Sequence, residues 1–563
     1  MAGNILTPNT IWNNFKIEGE IAFERVNEKI SGDIHLTEMY LDGRKLSDGT
    51  VKIFGVLAKN VQVSIGPAIL LLQDLNSGVN ENLIIDLAKR GYTVLSVDLA
   101  GYNQGKENFT VYPDSIEYAH YENSKDNLYT VEKNASRTCW YEWDVVARYA
   151  LKYLSDLPYV SKVGGLGIGE SATVMWHVAG TDRLLDCAVF AMNAGWAGYR
   201  GILKFSGEKE PQFTDNMYKF IAGIDAQSYA MHVKCPTLLL GATNSDKYDL
   251  DRLSDTVSRI DENCYGAVNY SIGYMHRVSG TAYRTALIFF EEFLMRCPEV
   301  TSLPQTVDIK CDIIDGKIVV EAIANTDDIK DFFLFVAEQQ VTPSVRCWQK
   351  INGKKQADGK YIFNYSPYPT SGIVVMFAQA YYKNGYVVGS NVIAKRFKED
   401  EVSPVHKTNI IYSSRFANSE SIFSGAKQSD ANSDTVNITD GRRIVVKKGP
   451  MGISGVTCEW GLLSFNVGTL RFKPGEDSML MFDVYTKKQS TLTVKLIADY
   501  FGSKTEYLVR VNVFGGDVWH NVQLEKNRFK TAEGMVLKSY EKIDAIEFSV
   551  DEGEFLLNNA LWV

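Results

Sequence analysis

The chain lacks any run of about 18 apolar residues, so no membrane-spanning helix is expected in it. It also lacks a basic block. With 59 Lys and Arg against 68 Asp and Glu the net charge is -9, which argues against a nucleic acid or an anionic membrane as partner. The eight cysteines contain no C-x-x-C pair and read as reduced, mostly buried thiols. No H-E-x-x-H or comparable spacing of histidine and carboxylate occurs, so neither a metal nor another cofactor is expected. Residues 1–10 carry neither the charged nor the apolar region of a secretory signal, and the expectation is therefore a cytoplasmic protein. Gly and Pro are not in excess and no short-period repeat is found.

What is present is ordinary globular composition, 45% hydrophobic and 23% charged, which excludes disorder of the whole chain. At about 150 residues per domain, 563 residues suggest three or four domains. Residues 1–66 read as strands and turns, with strands expected at 34–41 and 51–58 after the turn signals Ser31-Gly32-Asp33 and Ser47-Asp48-Gly49. This arm is expected to extend antiparallel from the sheet that follows.

From Pro67 to residue 300, short apolar runs at 68–72, 92–98, 187–192 and 237–241 alternate with helical patterns at 81–90, 140–154 and 281–295. Such alternation implies a parallel sheet covered by helices, with a ligand site at the carboxyl ends of the strands. Residues 301–400 then hold seven short strand patterns, including 345–350 and 386–394, which suggest an immunoglobulin-like sandwich without the Cys-Trp-Cys core signature. A stretch rich in Ser, Asn, Asp and Gly at 413–441 reads as a linker or surface excursion. The last unit, 401–563, resumes strand patterning and suggests a jelly-roll.

Lys162 to Thr173 has the form of a strand, a sharp glycine turn and a helix. In a G-x-S-x-G elbow the middle residue projects a hydroxyl from a strained turn, between small flanking residues that let the helix pack closely. With Gly167 and Ser171 as flanks the middle residue is Gly169, which carries no side chain; Glu170 then follows the elbow. With Gly169 and Thr173 as flanks the middle residue is Ser171. The first register gives the strand its usual length, leaves Ser171 in the first helical turn, and puts at the strained position the residue that adopts it most easily. Both registers stay open at this point.

The order of these features makes residues 67–300 resemble an α/β-hydrolase, and within it the dienelactone-hydrolase and acetyl-xylan-esterase group. The resemblance rests on residues 73–78 after a strand, Val97-Asp98-Leu99-Ala100-Gly101 after the next, the elbow, the strand from Thr237, and His276 before the last helix. It implies a triad of nucleophile, His276 and a carboxylate, for which Asp246 stands one residue beyond the ungapped position, now Ser245. It also implies that Leu75, in the oxyanion loop, and Glu170 lie on the substrate side. A missing nucleophile costs about 10⁶ in turnover. The expectation is therefore a hydrolase homologue, a pseudoenzyme with a binding or assembly role and a small ester or carbohydrate as possible ligand. Two alternatives are an active carboxylesterase or carbohydrate deacetylase using Ser171, and a carbohydrate-binding protein. For the last, Trp519 with Asn521 and Gln523 offers an aromatic plate beside amides.

Overall fold

The structure is a computed structural model that describes residues 5–75, 78–102, 107–209, 212–323, 328–415, 422–425, 444–459 and 461–563. The expected excursion at 413–441 lies for the most part outside them. Strands β1 (Phe23–Ser31), β2 (Ile34–Leu46) and β3 (Gly49–Asn60) form an antiparallel meander. They are followed by β4 (Gly66–Leu72), β5 (Thr93–Val97), β6 (Val160–Ile168), β7 (Cys187–Ala191), β8 (Thr237–Ala242) and β9 (Gly266–Ser271). All nine belong to one sheet in the order β1-β2-β3-β5-β4-β6-β7-β8-β9. β3 meets β5 antiparallel, and every pairing from β5 to β9 is parallel. The chain runs from β4 to β5 on one side and then crosses to β6 on the other, which makes the gap between the ends of β4 and β6 the switch point of the sheet. Ligand sites in open α/β sheets form there.

Eight helices accompany this sheet among the described residues: α1 (Pro8–Trp12), α2 (Glu81–Lys89), α3 (Tyr121–Ser124), α4 (Cys139–Asp156), α5 (Ser171–Thr181), α6 (Asp215–Gly223), α7 (Leu250–Val257) and α8 (Gly280–Phe290). Trp140, Trp143 and Val146 of α4 share a core with Val174 and Met175 of α5 on one face. Leu83 and Leu87 of α2 and Ala286 and Phe289 of α8 belong to the core of the other. A strand covered on both faces needs no polar side, and Ala68 to Leu72 are accordingly all buried. β1 and α7 were not anticipated from the sequence. The helix expected at 281–295 ends at Phe290, and a wider π-type turn runs from Glu291 to Arg296.

Beyond residue 300 the strands are antiparallel. One sheet holds Asp308–Ile314, Lys317–Ile323, Lys354–Lys355 and Lys360–Tyr365; a second holds Ile329–Glu338, Gln349–Asn352, Ile373–Tyr382, Val387–Gly389 and Ile393–Arg396. The strand Ile373–Tyr382 is nearly all buried because Val374, Met376 and Ala378 face the first sheet while Val375 and Phe377 join the core of the α/β unit. Two strands differ from expectation. Residues 345–350 do not form one strand, because Pro343–Val345 make a tight turn that sends Arg346 inward, and pairing starts only at Gln349. The segment 386–394 is broken at Ser390, whose hydroxyl accepts from the Ala378 amide, so its two halves pair separately with Ile373–Tyr382.

In the last unit, Ile410–Tyr412, Ile444–Lys448, Ser454–Cys458, Leu480–Thr486, His520–Leu524 and Phe555–Trp562 make one sheet. Ser424–Gly425, Leu462–Ser464, Ser490–Ala498, Thr505–Val513 and Ile543–Val550 make the other, and both contribute to one apolar core.

Candidate functional site

The carboxyl ends of β4, β6, β7, β8 and β9 carry Asp74, Gly169, Asn193, the turn Ser245 to Tyr248, and His276 respectively. Gly169 stands in the turn between β6 and α5. That residue has φ +60°, and its amide donates to the Ala191 carbonyl at 3.0 Å. Ser171 is the first residue of α5; it is fully buried and its hydroxyl donates to the Gln73 carbonyl at 2.6 Å. That hydroxyl ties the helix start to the end of β4.

The space beside Gly169 is filled. A Cβ at Gly169 would lie no farther than 2.7 Å from the carboxyl atoms of Asp74, which is 2% exposed. In an elbow of this type the amide after the nucleophile is one of the oxyanion donors. The amide of Glu170, the residue after Gly169, points at the Asp74 carboxylate, 3.3 Å from Oδ1. Asp74 therefore fills the space beside Gly169 and accepts from the amide of the residue that follows it.

His276 and Asp246 are brought together, with Nε2 at 3.2 Å from Oδ1. Burial pushes the Asp246 carboxyl up, but the hydrogen bond and charge of His276 outweigh it and hold the group below its ordinary value. The ring is turned relative to a working triad. There the carboxylate takes Nδ1 and Nε2 faces the nucleophile; here Nε2 faces the carboxylate, and Nδ1 is buried without a hydrogen-bond partner among the described residues.

Glu170 is the centre of the polar network. Its Oε1 accepts from the Tyr129 hydroxyl at 2.6 Å and lies 3.3 Å from Arg200 Nη2 and 3.6 Å from Lys247 Nζ, while Oε2 accepts from Asn193 Nδ2 at 3.2 Å. Arg200 also lies over the Tyr129 ring, 3.9 Å from its centroid. Burial, then the Glu170 charge, raises the Tyr129 phenol far above its ordinary value, so it stays a donor. Tyr248 is buried as well, raised by burial and by Glu170 and Asp74, and its hydroxyl has no hydrogen-bond partner among the described residues.

A cavity of about 240 Å³ opens beside this network, lined among others by Asn193, Trp196, Arg200, Lys247, Tyr248 and Ser344. Its far wall, Thr342 to Ser344, comes from the second unit. That wall is held by a buried ion pair, Arg346 to Asp251, with Nη2 donating to Oδ2 at 2.7 Å, and by Asn244 Nδ2 donating to the Arg346 carbonyl at 2.7 Å.

Several expected site residues lie elsewhere. Leu75 is 3% exposed and packs in the apolar core, not in the cavity wall. Trp519 precedes its strand instead of standing on it. Its ring lies against Gly449 and Gly455, where an added Cβ would come within 2.8 and 2.7 Å, and Nε1 donates to the Pro450 carbonyl at 3.2 Å. The ring is half-buried, and its contacts with Gly449 and Gly455 hold it against the protein's own backbone. Asn521 and Gln523 are exposed, but the amide of Asn521 donates to Asp483 at 2.9 Å and that of Gln523 to Asn521 at 3.2 Å. Arg200, Lys247, Tyr248 and the Thr342–Ser344 wall were not foreseen.

All eight cysteines are unbridged, and burial pushes Cys139 and Cys235 up to about 12, where they are inert thiols. Among the described residues, no group of three or more His, Cys, Asp or Glu is arranged to hold a metal ion, and no helix is long and apolar enough to cross a membrane.

No family model matches the chain, and no curated protein does. Among solved structures, the acetyl xylan esterase from Paenibacillus sp. R4 is similar at 14% identity and TM-score 0.40, over 51% of this chain and 92% of that one. Acetyl xylan esterase 1 from Thermoanaerobacterium sp. JW/SL YS485 follows at 13% and 0.37, over 50% and 90%. A putative dienelactone hydrolase from Klebsiella pneumoniae is similar at 13% and 0.29, over 45% and 90%.

Proposed function

We propose that residues 67–300 form an α/β-hydrolase-type domain that has lost triad catalysis and keeps a binding site. The later units are taken as an immunoglobulin-like sandwich, which completes the wall of that site, and a jelly-roll. The observation that carries the reading is the Asp74 carboxylate lodged where a nucleophile's side chain would stand, beside a glycine. An enzyme relying on Ser171 would need that hydroxyl free, and it is committed to the Gln73 carbonyl inside the core. The cavity beside Glu170 has room for a small ester or a sugar-sized molecule. The site binds its ligand without cleaving it.

Labelling with a fluorophosphonate tests this directly. The native chain and Gly169→Ser should both stay unlabelled, the second because Asp74 blocks the new hydroxyl. Gly169→Ser combined with Asp74→Ala should admit the probe. Labelling of the native chain that disappears in Ser171→Ala would refute the proposal.

A further inference from the structure

The two edges of the nine-stranded sheet are treated differently. At β9 the edge is closed by the second unit: the side-chain amide of Gln379 accepts from the Tyr270 amide at 2.8 Å and donates to its carbonyl at 3.1 Å. Asn269 adds a bond to the Val387 carbonyl at 3.1 Å. At β1 no described element covers the edge. All nine residues from Phe23 to Ser31 are exposed, with Phe23 and Val26 at 45% and Ile30 at 75%. A bare edge of this length offers a row of unpaired backbone groups to another strand.

The sequence of β1 says which strand fits. The pairing of β1 with β2 slips between Arg25 and Asn27, so Val26 is a bulge. The bulge shifts the two-residue alternation. Phe23, Arg25, Glu28 and Ile30 therefore share one face, while Glu24, Asn27 and Lys29 share the other. This pattern is symmetric about the Val26-Asn27 bond. A second copy of β1 laid antiparallel about that point puts Phe23 opposite Ile30, Arg25 opposite Glu28 and Glu24 opposite Lys29, each pair on a common face. Apolar meets apolar and each cation meets an anion, at both ends of a two-fold axis. Without the bulge, the same charge register would set outward-facing backbone groups against inward-facing ones.

We propose that β1 is a self-association edge, and that two copies of this chain join there into one continuous sheet. Arg25 and Glu28, which pair within the strand at 3.1 Å, exchange each other for the same partners across the axis.

Sedimentation velocity of the full chain over a concentration series tests this. The expected result is a concentration-dependent species of twice 63.1 kDa. Arg25→Glu, which sets like charges opposite each other twice per dimer, should weaken association at least tenfold. Arg25→Glu combined with Glu28→Arg should restore it. A monomer at every concentration, a dimer indifferent to Arg25→Glu, or a loss that the paired reversal does not recover would each overturn the proposal. Circular dichroism of the variants separates lost association from lost folding.

Discussion

Gly169 and Asp74 behave as a pair, and their coupling is measurable. Gly169→Ser puts a Cβ on a residue at φ +60° and drives it into the Asp74 carboxylate. We expect a loss of about 1–3 kcal/mol in urea denaturation. Asp74→Ala in the same chain should return part of that loss, so the two changes should not be additive. A second residue-scale prediction concerns Asp225, which sits under the Trp196 turn of the cavity wall. Burial pushes its carboxyl up to about 7, against hydrogen bonds from the Trp196 amide, the Gln227 side chain and the Gly198 amide. A native carboxyl raised above its unfolded value holds a proton that the unfolded chain has given up. Stability should therefore fall as pH rises between the two values, with a slope of up to ~1.4 kcal/mol per pH unit, and level off above pH 7. Asp225→Asn should remove that slope, as read from melting curves across the same pH range.

Between elements, the buried pair of Arg346 and Asp251 joins the tight turn after Pro343 to α7. Both side chains are at most 1% exposed, so Arg346→Ala leaves a carboxylate buried without its cation. We expect a loss of about 3–5 kcal/mol in chemical denaturation. Trp519→Ala, by contrast, should cost the last unit roughly 1–3 kcal/mol through lost packing over Gly449 and Gly455, and leave binding to a glycan panel unchanged. These two residues also show how much could be read before folding. Local periodicity located β4 to β8 and helices α2, α4 and α8, because each is an uninterrupted apolar pattern of the right period. It missed β1, whose nine exposed residues leave no buried face to detect. It did not show that the Trp519 ring lies over Gly449 and Gly455, because that contact is made with residues about 70 positions away. Chain order did place Gly169 in the turn after β6 and Asp246 and His276 after β8 and β9, where they meet at 3.2 Å. The Asp74 carboxylate against Gly169 and the polar network around Glu170 were not legible, since they depend on which side chains meet at the switch point of the sheet.

At the scale of the molecule, the three units share interfaces rather than hanging from linkers. Met275, next to His276, packs among Leu463, Phe465, Ile497, Tyr500 and Ala545 of the last unit, and Arg471 of that unit pairs with Glu338 of the second at 2.9 Å. The loop that holds His276 is thus backed by the last unit, and the cavity wall comes from the second. Such an arrangement suits a site whose shape is fixed for binding. The most direct measurement of the central claim is hydrolysis of p-nitrophenyl acetate by the native chain beside Ser171→Ala and His276→Ala. Equal rates in all three are predicted. A native rate a hundredfold or more above both variants would contradict the account and return Ser171 to the role of nucleophile.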